Sequence, residues 1–129
     1  MIEAMGSVTT KALGLAMDAA LMRQQVISAN IANANTPDYV PLTVSFEAQL
    51  ADARMVLEDR GRLNPGALAG IHPRVEVQQG AGILGGSPKV MLDMEVANLA
   101  KNAIHFEALA KGLSKHFAIL SAAIGDGKK

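Results

Sequence analysis

One seam of apolar residues runs the length of the last third of the chain. Stepping by four and three from Leu92 gives Leu92, Val96, Leu99, Ala103, Phe106, Ala110, Leu113, Phe117, Leu120 and Ile124, all apolar. The mean step of 3.5 residues is that of a helix packed lengthwise against another helix. Asp93 has the chemistry of a helix cap at its start, and Gly125 stands just past its expected end. Such a helix is about 45–50 Å long at about 1.5 Å per residue. The rest of the chain must supply the other side of this helix-packing seam.

A second helix is expected from about Val8 to Asn33. One stripe is Leu13, Met17, Ala20, Gln24, Ile27 and Ile31; the other is Val8, Ala12, Leu15, Ala19, Met22 and Val26. At about 100° per residue the stripes lie on nearly opposite faces, so this helix needs two partners. The C-terminal helix covers one. Aromatic residues make up only 3% of the chain, with no Trp and three Phe, so little else is left for a thick core. Other subunits are therefore expected on the second face. Residues 1–7 carry no periodicity and are expected to fray.

The helix should stop between Asn33 and Asn35. Asn is a poor helix former that tolerates the left-handed conformation, and Pro37 disfavours helix at Thr36. Thr36-Pro37-Asp38-Tyr39 has a turn signature. Asp at the third turn position favours a negative φ, as in a type I turn, because positive φ suits Gly. Ser45 is placed to cap a short helix from Phe46 to about Asp59, with Phe46, Leu50, Ala53 and Leu57 on one face. Arg74–Gln78 alternates as a short strand would. Gly80 to Pro88 reads as a glycine-rich connector, and low order is expected from Gly61 to Pro88 unless a partner holds it. The fold class is therefore all-α: long N- and C-terminal helices paired antiparallel as a coiled-coil-like rod. Three segments are expected: 1–39, helix and turn; 40–90, a mostly irregular middle; and 91–129, the second long helix. The two terminal segments form one domain.

Composition excludes several functions. The formal net charge is zero and no basic run occurs, which argues against nucleic acid. No cysteine is present, so there is no disulfide frame and no thiolate metal site. His105 and His116 return to one helix face, but eleven residues span about 16 Å, too far for one ion. His72 stands beside Pro73 with no second ligand near it. The carboxylates Glu47, Asp52, Glu58, Asp59, Asp93, Glu95 and Glu107 are not spaced to a nucleophile. No catalytic, cofactor-binding or metal residue is assigned, and no enzyme activity, cofactor or small-molecule substrate is expected. Glu107 and Lys111 form a surface i,i+4 pair. The opening MIEAMGSVTTKALGL has no basic region followed by an apolar run and a cleavage site, so a cleaved signal is not expected. No run is long and apolar enough for a membrane span.

The stretch from Ser28 to Tyr39, SANIANANTPDY, resembles the N-terminal signature of bacterial flagellar axial proteins. The matching motif is Asn30, Ile31, Ala32, Asn33, Ala34, Asn35, Thr36, Pro37 and Tyr39; the departure is Asp38, where that family usually has Gly. Val90 to Val96, Leu99 to Asn102, Ala108-Leu109 and Leu113 to Lys115 resemble the C-terminal helix of the flagellar basal-body rod proteins, chiefly the proximal ones. The resemblance covers roughly half the chain. It implies a structural subunit that polymerises helically in the rod within the periplasm, linking the rotor ring to the distal rod and transmitting torque. It also implies partners: copies of itself and other rod subunits, the rod-to-ring adaptor protein FliE, and the flagellar type III export apparatus, which uses no cleaved signal. An alternative class is an amphipathic helical adaptor or membrane-surface-binding protein, with Lys101, Lys111 and Lys115 on the polar side of the seam. The even 4,3 seam suits a protein partner better than lipid.

Overall fold

The computed structural model describes residues 2–60, 65–78 and 90–126. Two long helices dominate it: α1, Ile2–Ala32, and α3, Leu92–Asp126. Between them come β1, Leu42–Ser45; α2, Glu47–Arg60; a 3-10 turn, Pro65–Leu68; and β2, Arg74–Val77. The long helices are antiparallel. Asn30 near the end of α1 meets Glu95 in the first turn of α3, Ala20 meets Asn102, and Gly6 meets His116. At about 1.5 Å per residue each is about 45 Å long or more. Glycine matters at one end: a Cβ on Gly6 would stand 3.1 Å from Leu120 Cδ2, so the helices approach closely there.

Two expectations about α1 are corrected. The helix begins at Ile2, before the expected start near Val8, and Gly6 is buried against α3. Other subunits are not needed on its second face either, because the middle of the same chain covers it. Ala19 packs with Phe46, Ala53, Leu68 and Ile71, and Val8, Ala12, Leu15 and Ala16 border this cluster. Leu68 is only 2% exposed and Ile71 5%. Phe46 and Ala53 belong to the expected apolar face of the short helix, whereas Leu68 and Ile71 lie in a 3-10 turn and a loop, where no periodicity announces them. Within residues 65–78, where low order is expected unless a partner holds the segment, Leu68 and Ile71 are anchored on α1 by the same chain. The remainder of that segment, including the Gly80–Pro88 connector, lies outside the described residues.

The middle segment is more ordered than its composition suggests. β1 pairs antiparallel with β2 from Leu42↔Val77 to Ser45↔Arg74. The second strand is the expected one. The first is not, although Leu42-Thr43-Val44-Ser45 alternates: Val44 is buried while Thr43 is exposed. Ser45 does not cap α2. Its hydroxyl crosses the sheet to Glu76 Oε1 at 2.7 Å, and the first carbonyl of the helix is that of Phe46. The ends of α3 also differ from expectation. Asp93 lies inside the first turn, where its charge favours the positive end of the helix dipole, and the helix runs through Gly125.

The Phe46 ring, 4% exposed, fills the space between α1 and the middle segment. Phe46→Ala is expected to cost about 3–5 kcal/mol. The loss should appear as a lower urea midpoint, with middle-segment sites becoming accessible to protease first.

Candidate functional site

The motif stretch closes α1 and turns the chain into β1. Ala32 is the last helical residue. Asn33 Nδ2 donates to Ala29 O at 2.8 Å, tying the side chain back onto the last turn. Thr36 Oγ1 donates to Asn33 Oδ1 at 3.1 Å, and Thr36 N donates to Asn33 O at 3.0 Å. Asn33 thereby satisfies backbone and side-chain groups that the end of a helix leaves open. Tyr39 N then closes the next turn onto Thr36 O at 3.4 Å.

Asp38 at the tip of that turn has φ 60°. The expected negative φ is therefore wrong: the turn keeps the conformation glycine would adopt, and Asp carries the strain. Asp is one of the few side chains that visits this region at modest cost. Hydrogen bonds from Thr36 N to Asn33 O and from Tyr39 N to Thr36 O hold the turn on either side. Asp38→Gly should stabilise the fold by up to about 1 kcal/mol, after allowance for the more flexible unfolded chain. Asp38→Val should do the reverse, and urea midpoints would separate the two.

Asn30 is the centre of the site. Its side chain is fully buried. Nδ2 donates to Leu42 O at 2.8 Å and to Glu95 Oε2 at 3.2 Å. Oδ1 accepts from Leu42 N at 3.0 Å and from the Tyr39 hydroxyl at 2.9 Å. Both donors and both lone pairs are used, the full capacity of a carboxamide. Toward Leu42 the side chain behaves as a neighbouring strand would, exchanging one N–H and one C=O bond. Gln49 does the same for His72, donating to its carbonyl at 3.0 Å and accepting from its amide at 3.1 Å. Asn102 makes the corresponding joint higher on α3, with Nδ2 on Ala20 O at 2.8 Å and on Gln24 Oε1 at 3.3 Å.

The rest of the motif divides by role. Ile31, Ala34 and Tyr39 are half-buried, whereas Ala32, Asn35, Thr36, Pro37 and Asp38 are exposed. Along α3, only Glu95, Leu99, Asn102, Phe106, Leu109, Ala110, Leu113, His116 and Leu120 escape full exposure. Of the apolar seam, Leu99, Phe106, Ala110, Leu113 and Leu120 are thus half-buried within the chain. Leu92, Val96, Ala103, Phe117 and Ile124 are exposed. The inward face keeps the 4,3 step but takes Glu95, Asn102 and His116 as its second column. Each of these bonds across to α1, which an apolar pattern alone does not reveal. Among the described residues no three metal-ligating side chains gather, no buried side-chain nitrogen or oxygen lacks a partner, and no helix is long and apolar enough to cross a membrane.

Asn30→Leu keeps the volume and removes every bond. It strands Leu42 N–H and buried Glu95, and is expected to cost about 3 kcal/mol or more. Tyr39→Phe removes one bond and should cost about 1 kcal/mol. Urea unfolding of the two variants tests the ranking.

No curated protein matches the chain. The family model for flagella basal body rod proteins matches residues 13–39. That span holds the helix that lines up against α3, the buried Asn30 and the turn to Tyr39. Over this N-terminal stretch, about a fifth of its length, the chain is similar to flagella basal body rod proteins.

Proposed function

We propose that the chain is a structural subunit of the flagellar rod that polymerises helically and transmits torque through packed helices, with no chemistry of its own. The observation that carries this is the outward surface of α3. Leu92, Met94, Val96, Ile104, Phe117, Ile119 and Ile124 are each about half exposed or more. At about 100° per residue, Leu92 and Val96 flank one side of the buried face, Met94 and Ile119 the other, and Ile104 points away from α1. Large apolar side chains exposed on more than one side of a helix mark a surface that packs against other chains. In this reading the outward members of the seam, Leu92, Val96, Ala103, Phe117 and Ile124, pack against neighbouring subunits. Segments 1–39 and 91–129 act as one shaft unit, with 40–90 bracing α1 from one side.

The finer placement rests on resemblance. The C-terminal helix is similar to that of the proximal rod protein FlgB, which favours a position next to the rotor ring. Contact with FliE, passage through the flagellar export apparatus and residence in the periplasmic part of the rod follow from that placement. A membrane-surface helix is less favoured. It would need one apolar side, whereas Lys101 and Lys115 stand among the outward apolar residues of α3.

Ile104 and Ile119 are 70% and 59% exposed, so charging them leaves the subunit's own packing untouched. Ile104→Asp with Ile119→Asp should keep the circular dichroism of the subunit and abolish polymers in sedimentation velocity. Polymers forming at unchanged concentration would defeat the proposal.

A further inference from the structure

The exposed turn at Asp38 has a chemical match elsewhere on the surface. A cleft of about 360 Å³ opens between α1, β1 and α3, with Val26, Ile27 and Val44 among its walls. The Arg23–Glu47 ion pair guards one rim. Lys101 and His105 of α3 line the other side. Glu47 is matched by Arg23, and Glu95 is turned onto Asn30. Lys101 is exposed and has no carboxylate within ion-pair distance among the described residues. The cleft therefore presents an unmatched cation above an apolar floor.

Asp38 presents the reverse. It is exposed, and its carboxylate has no hydrogen bond or ion pair among the described residues. It nevertheless holds φ 60°, a conformation that glycine would hold without cost. The turn's own hydrogen bonds hold that conformation and leave the carboxylate pointing to solvent without a partner among the described residues. Pro37 beside it is exposed too, a rigid apolar ring next to the carboxylate.

We propose that the Asn35–Asp38 turn of one copy docks into the α1–β1–α3 cleft of a second copy, with Asp38 on Lys101 and Pro37 toward the apolar floor. This rests on the polymerisation proposed above and names one of its contacts. In each copy the turn follows Ala32, while the cleft is lined by α1 residues 23–27. The separation is about five to nine residues of helix, or about 8–14 Å along the axis. Parallel neighbours offset by about that distance bring turn and cleft together. Because turn and cleft are different surfaces, repeating the contact builds an open polymer instead of a closed dimer.

The absence of cysteine makes the test direct. Chains bearing Asp38→Cys and Lys101→Cys singly are mixed under assembly conditions and oxidised, so that any 38–101 disulfide joins two copies. Peptide mass spectrometry should find that link well above the 38–115 link from a control mixture using Lys115→Cys. In parallel, Lys101→Glu should raise the concentration needed for assembly about fivefold or more, and adding Asp38→Lys should reverse the effect. Assembly with the 38–101 link no more abundant than the control, or with no rescue by the double reversal, overturns this contact and leaves polymerisation standing. A purified chain that forms no polymer at any concentration overturns both.

Discussion

A single buried carboxamide fixes how the segments of this protein meet. Asn30 stands at the point where α1 ends, the turn leaves, β1 begins and α3 starts. Its four hydrogen-bonding positions are divided among three neighbours. Two hold Leu42 in strand geometry, one holds Tyr39, and one reaches Glu95. A hydrophobic contact could bring the same elements together, but it is non-directional and would tolerate sliding along the helix pair. A fully buried amide tolerates little, because any shift leaves a polar group without water or partner.

The same economy recurs where the chain has little bulk to bury. Four aromatic residues cannot build a thick core, so side-chain amides take over the alignment of segments. Gln49 positions the backbone at His72, and Asn102 ties the middle of α3 to Ala20 and Gln24. Around these joints the apolar contacts are thin: Ala19 and Ala53 beside Phe46, Leu68 and Ile71. Small residues let the layers approach closely, and the amides set the register. The outer apolar residues of α3 are left over from this arrangement. They leave a chain whose helix pair is covered by the middle segment on one side and carries exposed apolar residues on the other.

Much of the architecture is legible in the residues alone. The long helices, their antiparallel pairing, a helix stop within a residue of Asn33, the short helix α2 and the second strand follow from periodicity and from Asn and Pro chemistry. The motif residues stand out, but their division of labour does not. Nothing in the spelling of Asn30 and Asn33 says that one is buried in a four-bond network and the other closes the helix. Asp38 misleads for a physical reason. Its preference for negative φ is worth about 1 kcal/mol, less than the hydrogen bonds that fix the turn on both sides.

The sequence by itself determined the local periodicities: two long helices, where the first must end, and apolar residues spread over more than one face of each. Only the tertiary structure decided which faces are used within the chain. The second face of α1 is covered by Phe46, Leu68 and Ile71, and the inward column of α3 is Glu95, Asn102 and His116. Periodicity records which residues are apolar along a helix. It does not record that a polar side chain can be buried at little cost when a specific partner waits on the opposite helix. That partner exists only once residues 65 or more positions apart have been brought together.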